Sequence, residues 1–279
     1  LEQQLFDELR STLASHGHRF KAMADVVATV DALLSLAELA EERRYVRPRL
    51  TDRPMLNIVG GRHPVIEKLL TKDPFIENDL ILGGDQASML IITGPNMAGK
   101  STYMRQTALQ VILAQMGSFV PAQEAVIGIV DRVFTRIGAS DDLAGGRSTF
   151  MVEMEEIADI LTQATERSLI LVDEIGRGTS TYDGVSIAWA TAEHLLDRVK
   201  ARALFATHYH ELVRLGEERE GARNVHVSVK EWGNRIIFLH KVREGGTSKS
   251  YGVQVARLAG VPEEVVSRAK TLLFAYEQQ

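Results

Sequence analysis

Between positions 5 and 34 apolar residues return every three or four places: Leu5, Leu9 and Leu13, then Met23, Val26, Val27, Val30, Leu33 and Leu34. That spacing puts them on one face of an α-helix. The break ASHGH at 14–18 predicts two helices folded as a plain hairpin, an arm without visible chemistry. The charged run EERR at 41–44 and Pro48 mark its end. From about residue 49 the texture changes to short β-rich runs: SMLIIT (88–93), SLILVDE (168–174) and RALFATH (202–208). Longer helical patterns separate them, STYMRQTALQVILAQMG and FMVEMEEIADILTQATE. Strands alternating with helices predict an α/β fold, a mostly parallel sheet covered on both faces. NVHVSVKEWGNRIIFLHKV reads instead as a hairpin turning at WGN. The last stretch, SYGVQVARLAGVPEEVVSRAKTLLFAYEQQ, holds two helical segments joined at LAGVP, the shape of a helix-turn-helix. Spacing leaves DNA reading and protein packing both open for it. Three regions are expected, 1–48, 49–244 and 245–279.

Composition narrows the class. The 279 residues are 45% apolar and 25% charged, an ordinary globular mix. No apolar run approaches the roughly 18 residues of a membrane span. The start LEQQLFDELR is not the pattern of a signal peptide, and it lacks Met, which fits a piece of a longer chain. Cysteine is absent, which excludes disulfides and thiolate metal sites and fits a reducing, cytoplasmic setting. The net charge of −5 argues against strong grip on DNA by this chain alone. Any nucleic-acid contact is expected to be local or supplied by other domains.

The chemistry starts at GPNMAGKS, which fits G-x-x-x-x-G-K-[ST] from Gly94 to Ser101, with a β run before it and a helix pattern after it. Gly94 and Gly99 let the loop bend so that backbone N–H groups point inward. The following helix adds its positive end at the same point. Lys100 is expected on the β- and γ-phosphates of a nucleotide, and the Ser101 hydroxyl on Mg²⁺. The strand LILVDE ends in Asp173, a second Mg²⁺ group, and Glu174. Side-chain alternation along a strand turns Glu174 the other way, which suits a general base for an attacking water. A Glu after the Asp, and the absence of an N-K-x-D guanine motif, favour ATP. His208, after the run ALFAT, is placed to meet a γ-phosphate or that water. His208, His210 and Glu211 as a metal site find no third-ligand pattern such as HExxH. Two glycine-rich segments stand between these: DDLAGGRSTFMVEM (141–154), with Ser148 and Thr149 at a helix start that reads from spacing as a cap or as an anion site, and GRGTSTYDG (176–184), which reads as a flexible loop.

Taken together, TGPNMAGKSTYMRQTALQVILAQMGSFVPA, GRSTFMVEM, DEIGRGTSTYDG, FATHYHEL and SKSYGVQVARLAGVP closely resemble the bacterial MutS family of DNA mismatch-repair ATPases, from about Arg62 to Arg268. The resemblance implies an ABC-type P-loop nucleotide hydrolase acting as a homodimer on ATP, with ADP as product and Mg²⁺ as cofactor. The phosphate loop then comprises Gly94, Pro95, Asn96, Met97, Ala98, Gly99, Lys100, Ser101 and Thr102, with Asn96 also near the catalytic water. Ser148 would reach the γ-phosphate held by the other subunit, and the GTSTYDG loop would run along the dimer seam. Phe75 in DPFIEND looks like the family's adenine-stacking aromatic, and His240 in FLHKV like the group on the other face of the base. Residues 1–48 resemble the end of the lever and core helices, and the final helix-turn-helix a dimerisation element. GRSTF stands where transport and chromosome-structure ATPases carry an LSGGQ-type signature. The family's Phe-x-Glu mismatch wedge and its DNA clamp have no counterpart in this sequence. Mismatched duplex DNA is therefore expected only through domains missing here, and a MutL-type repair partner in the full protein. A nucleotide-gated dimerisation module with scarcely any turnover shares every one of these motifs.

Overall fold

The apolar runs become strands, and the three- and four-spaced stretches between them helices. The computed structural model describes residues 1–71, 73–137, 149–232, 235–247 and 251–276. Two helices come first, α1 (Glu2–Ser15) and α2 (Gly17–Arg43). The chain then runs through β1 (Arg49–Thr51), β2 (Met55–Gly61), α3 (Pro64–Leu69), β3 (Asn78–Gly83), β4 (Met89–Thr93) and α4 (Lys100–Gln115). Next come β5 (Glu124–Gly128), β6 (Val133–Ile137), α5 (Thr149–Gln163), β7 (Leu169–Asp173), α6 (Thr181–His194) and β8 (Arg202–Ala206). The remainder is α7 (Val213–Glu218), β9 (Ala222–Trp232), β10 (Arg235–Glu244), α8 (Gly252–Leu258) and α9 (Glu263–Tyr276).

The larger sheet has the order β10-β9-β4-β8-β7-β6. Every pairing in it is parallel except β9 with β10, the expected hairpin, whose turn residues Gly233 and Asn234 lie outside the described residues. Alternation divides the side chains between two cores. Leu90 and Ile92 of β4 join Leu169, Leu171 and Leu204 under α4, while Met89 and Ile91 join Ile170, Val172 and Phe205 under α5 and α6. Each fully buried aliphatic side chain contributes roughly 1.5–3 kcal/mol, so the centre of this sheet is the most strongly held part of the molecule.

A second sheet was not legible beforehand. It has the order β1-β5-β2-β3, with β1 parallel to β5 and the other pairs antiparallel. Its signal is brief: Leu56 and Ile58, then Leu80 and Leu82, point into the core in alternation. The sheet packs against α4, which is therefore enclosed between two sheets and buries polar Gln106, Thr107 and Gln110 along with Met104 and Val111.

The arm departs from expectation. Its helices are separated at His16, but they do not pack as a hairpin: the nine apolar residues from Leu5 to Leu34 that set its pattern are 49% to 65% exposed. The first buried residue of the chain is Ala40. At the other end α8 and α9 form the expected helix pair, braced by an Arg257–Glu263 ion pair, and only Val266 of the two is buried. Among the described residues no helix is long and apolar enough to cross a membrane.

Candidate functional site

The site grows from the carboxyl end of β4, where ligands of open parallel sheets characteristically sit. β4 is buried throughout and ends at Thr93. Gly94 then takes φ 123°, Asn96–Ala98 make one 3₁₀ turn, and Gly99 takes φ 111° before α4 begins. Both φ values lie in the region that favours glycine. α4 starts with no side-chain cap, so its first amides have no intrahelical partner and face the loop with the helix's positive end. Lys100 is only 1% exposed. Its Nζ donates to Gly94 O at 2.5 Å and Asn96 Oδ1 at 3.2 Å, and lies 3.2 Å from Glu174 Oε1. The Ser101 hydroxyl donates to Asp173 Oδ2.

Asp173 ends β7 two strands away from β4, with β8 between them. Burial, with Glu174 adding to it, holds its carboxyl above the usual aspartate range against the opposing pull of Ser101, Lys100 and Arg177. The alternation expected at Glu174 fails. The strand stops at Asp173, and Glu174 takes φ 59°, a left-handed turn. That turn swings its carboxylate to the same side as Asp173, where Lys100 meets one oxygen and Arg177 the other. Glu174 Oε1 is buried, and despite the nearby Lys100 charge it receives no aligned hydrogen bond. Asn96, Lys100, Ser101, Asp173, Glu174 and Arg177 all line one cleft of about 470 Å³.

His208 follows the buried Thr207 past the end of β8. It lines a separate hollow with Gly94, Pro95, Asn96 and Met97 on the other flank of the loop. Crowding by surrounding protein atoms lowers its imidazole below the usual histidine range, although Glu174 pulls the opposite way. The ring is accordingly neutral near pH 7 and carries one donor and one acceptor nitrogen. Among the described residues no three His, Asp or Glu side chains are grouped to hold a metal ion.

A third hollow, of about 390 Å³, opens beside the loop. Phe75 and His240 both line it, with Met97, Gly99, Thr102 and Tyr103. His240 sits in a bulge of β10 at φ 51°, and its Nδ1 lies 2.8 Å from Ala98 O. Asn78 fixes that bulge: its Nδ2 donates to His240 O at 2.9 Å, and its Oδ1 accepts from Val242 N at 2.7 Å. Ala98 itself is wholly buried. Ser148 lies outside the described residues.

Several site residues escaped the sequence reading. Arg136 and Glu153 are buried beside the cleft. Arg136 pairs with Glu156 at 2.9 Å and with Glu153 at 3.7 Å. Arg177 pairs with Glu174, and Asn78 supports His240. The available signal was weak: a polar residue inside a run that is otherwise strand or helix core, as Arg136 is in VFTRI and Glu153 in FMVEM.

The geometry is that of a mixed α/β protein with a glycine loop and an acidic strand end meeting at one edge of a parallel sheet. Residues 90–277 match the family MutS domain V. The chain belongs to the MutS family. It is 58% identical over 282 residues to the DNA mismatch repair protein MutS of Anaeromyxobacter dehalogenans, covering 98% of this chain and 32% of that protein. It is 57% identical over 273 residues to the protein of the same name from Acetivibrio thermocellus, covering 98% of this chain and 31% of that one. The chain thus spans about a third of the length of these relatives.

Proposed function

We propose that this chain binds Mg²⁺–ATP and hydrolyses it to ADP and phosphate as one half of a homodimeric ABC-type P-loop ATPase. In this reading it is the motor portion of a longer DNA mismatch-recognition protein. The observation that supports it most is the convergence of Lys100, Ser101, Asp173 and Glu174 around an uncapped helix start. Buried cations and anions of this kind are costly unless paired, and a triphosphate with its metal ion matches the set in both charge and shape.

The donors fit the group. Ser101 Oγ and Asp173 Oδ2 are hard oxygen ligands already in contact, the type Mg²⁺ prefers. When bound there, Mg²⁺ supplies charge neutralisation on the phosphates. The loop amides and α4 receive phosphate oxygens. Lys100 exchanges Gly94 O and Glu174 for the β- and γ-phosphates, which frees the Glu174 carboxylate to take a proton from the attacking water. Asn96 and neutral His208 orient that water or the γ-phosphate. Phe75 and His240 hold adenine in the hollow beside Gly99. Ser148 of each subunit completes the other subunit's site.

Residues 1–48 then act as the end of a lever, 49–244 as the ATPase domain and 245–279 as a dimerisation element. Mismatched duplex DNA and a MutL-type partner belong to the longer protein. The pairing of Glu174 with two cations favours a second reading for the lone chain, a nucleotide gate that closes a dimer with scarcely any turnover.

Nucleotide titration and phosphate release at two protein concentrations test both. Lys100→Ala is expected to weaken ATP binding, and Glu174→Gln to bind ATP while losing roughly 100-fold or more in turnover. Turnover that rises steeply with concentration supports the shared site, and flat, negligible release supports the gate. Unchanged affinity in Lys100→Ala overturns the phosphate site altogether.

A further inference from the structure

The left-handed turn at Glu174 needs something to hold it, because a non-glycine residue at positive φ is intrinsically unfavourable. Strand β7 has ended, and Glu174 N donates to Ala206 O at 3.0 Å as the last link to the sheet. The next anchor is Gly176, held through the peptide groups on both sides of its Cα. Its N–H donates to Glu153 Oε1 at 2.8 Å, and its C=O accepts from the Tyr209 hydroxyl at 2.9 Å. Glu153 is buried, sits on the first turns of α5, and keeps its other oxygen towards Arg136. Phe150, one turn earlier, packs on Gly178, where an added Cβ would meet its Cβ at 2.8 Å. The start of α5 and the 174–178 turn therefore form one interlocked unit.

We infer that Glu153 is a positioning residue that ties the start of α5 to the carboxylate of Glu174. The inference rests on the reading of Glu174 as the base. The chemical requirement at position 153 is an acceptor for the Gly176 N–H. The negative charge is secondary, because Arg136 keeps Glu156 as a partner.

The test compares Glu153→Ala, Glu153→Gln and Tyr209→Phe with the unaltered full chain in steady-state phosphate release and ATP binding. Hydrogen exchange at the Gly176 amide is followed alongside. Glu153→Ala is expected to lower kcat on the order of 10- to 100-fold, with KM and ATP affinity within about twofold and the Gly176 amide exchanging faster. Glu153→Gln, which retains an acceptor oxygen, is expected to recover most of that loss. Tyr209→Phe is expected to lower kcat less, because the N–H side of the grip remains. A merely structural role would move affinity and turnover together and would not separate Gln from Ala. Turnover at the unaltered rate in Glu153→Ala overturns the positioning role alone. If Glu153→Ala does not fold, Glu153→Asp carries the test, since it keeps the charge but draws the acceptor back from the Gly176 N–H by one methylene: a Gly176 amide that exchanges faster at an unaltered rate of turnover overturns the role. An unaltered chain that binds ATP without turnover at any concentration removes the base reading, and this inference with it.

Discussion

Asp173 is where one residue's electrostatics and its proposed task pull in opposite directions. Its carboxyl titrates above the ordinary value chiefly because it is buried. A raised acid costs the folded state stability wherever it is ionised, and nothing where it is protonated in both states. Asp173→Asn is therefore expected to raise the melting temperature of the nucleotide-free protein near pH 7. The gain fades as pH falls through the raised value and vanishes below the ordinary aspartate value of 3.8. Thermal unfolding across that range checks it, and a gain that grows towards acid would contradict the burial argument. The same substitution is expected to abolish Mg²⁺-dependent strengthening of ATP binding, since a neutral amide is a poor ligand for a hard cation. Destabilisation built into a functional site is a common trade.

At the scale of elements, the junction of α6 with the 174–178 turn is a close contact of Gly184 with Gly176 and Tyr209. Gly184 lies in the first turns of α6. An added Cβ there would stand 2.2 Å from the Tyr209 hydroxyl and 2.5 Å from Gly176 O. Helix propensity favours Ala over Gly by about 1 kcal/mol, but overpacking a tight contact costs about 1–3 kcal/mol, so the clash wins. Gly184→Ala is expected to lose about 1–2 kcal/mol of stability by chemical denaturation, and to lower turnover more than ATP affinity. A stabilised variant would show that the contact relaxes freely. Neither result could have been anticipated from GRGTSTYDG alone, because Tyr209 comes from the far side of β8.

The whole molecule divides into a packed body and projecting helices. Residues 1–30 contribute no buried side chain. Their removal is expected to shift the melting temperature by less than about 4 °C, the equivalent of about 1 kcal/mol for a domain of this size. It should also reduce self-association, because a long apolar stripe is removed from solvent. A larger drop would mean that the arm packs on the body. The proposed pairing of two copies is tested at this scale as well. Sedimentation with ATP and Mg²⁺ is expected to show a dimer that Ser148→Ala weakens while leaving nucleotide binding by the monomer intact. A dimer indifferent to both nucleotide and that substitution would place the interface elsewhere.

The sequence by itself determined the elements whose pattern is local: the helices of the arm, the buried strands β4, β7 and β8, the β9–β10 hairpin and the glycine loop with Lys100 and Ser101. A run of four or five buried apolar residues, or a glycine spacing, carries its own physical instruction to the backbone. Only the tertiary structure decided the rest. The small sheet is built from short strands whose alternation is too brief to stand out, and its Leu56, Ile58, Leu80 and Leu82 are buried in the core that α4 shares. Glu174 takes a left-handed turn, and two residues on from it Gly176 is held by Glu153 and Tyr209, which stand 21 and 35 positions from Glu174 in the sequence. Contacts between such distant positions are made by packing, which the local pattern of side chains does not encode.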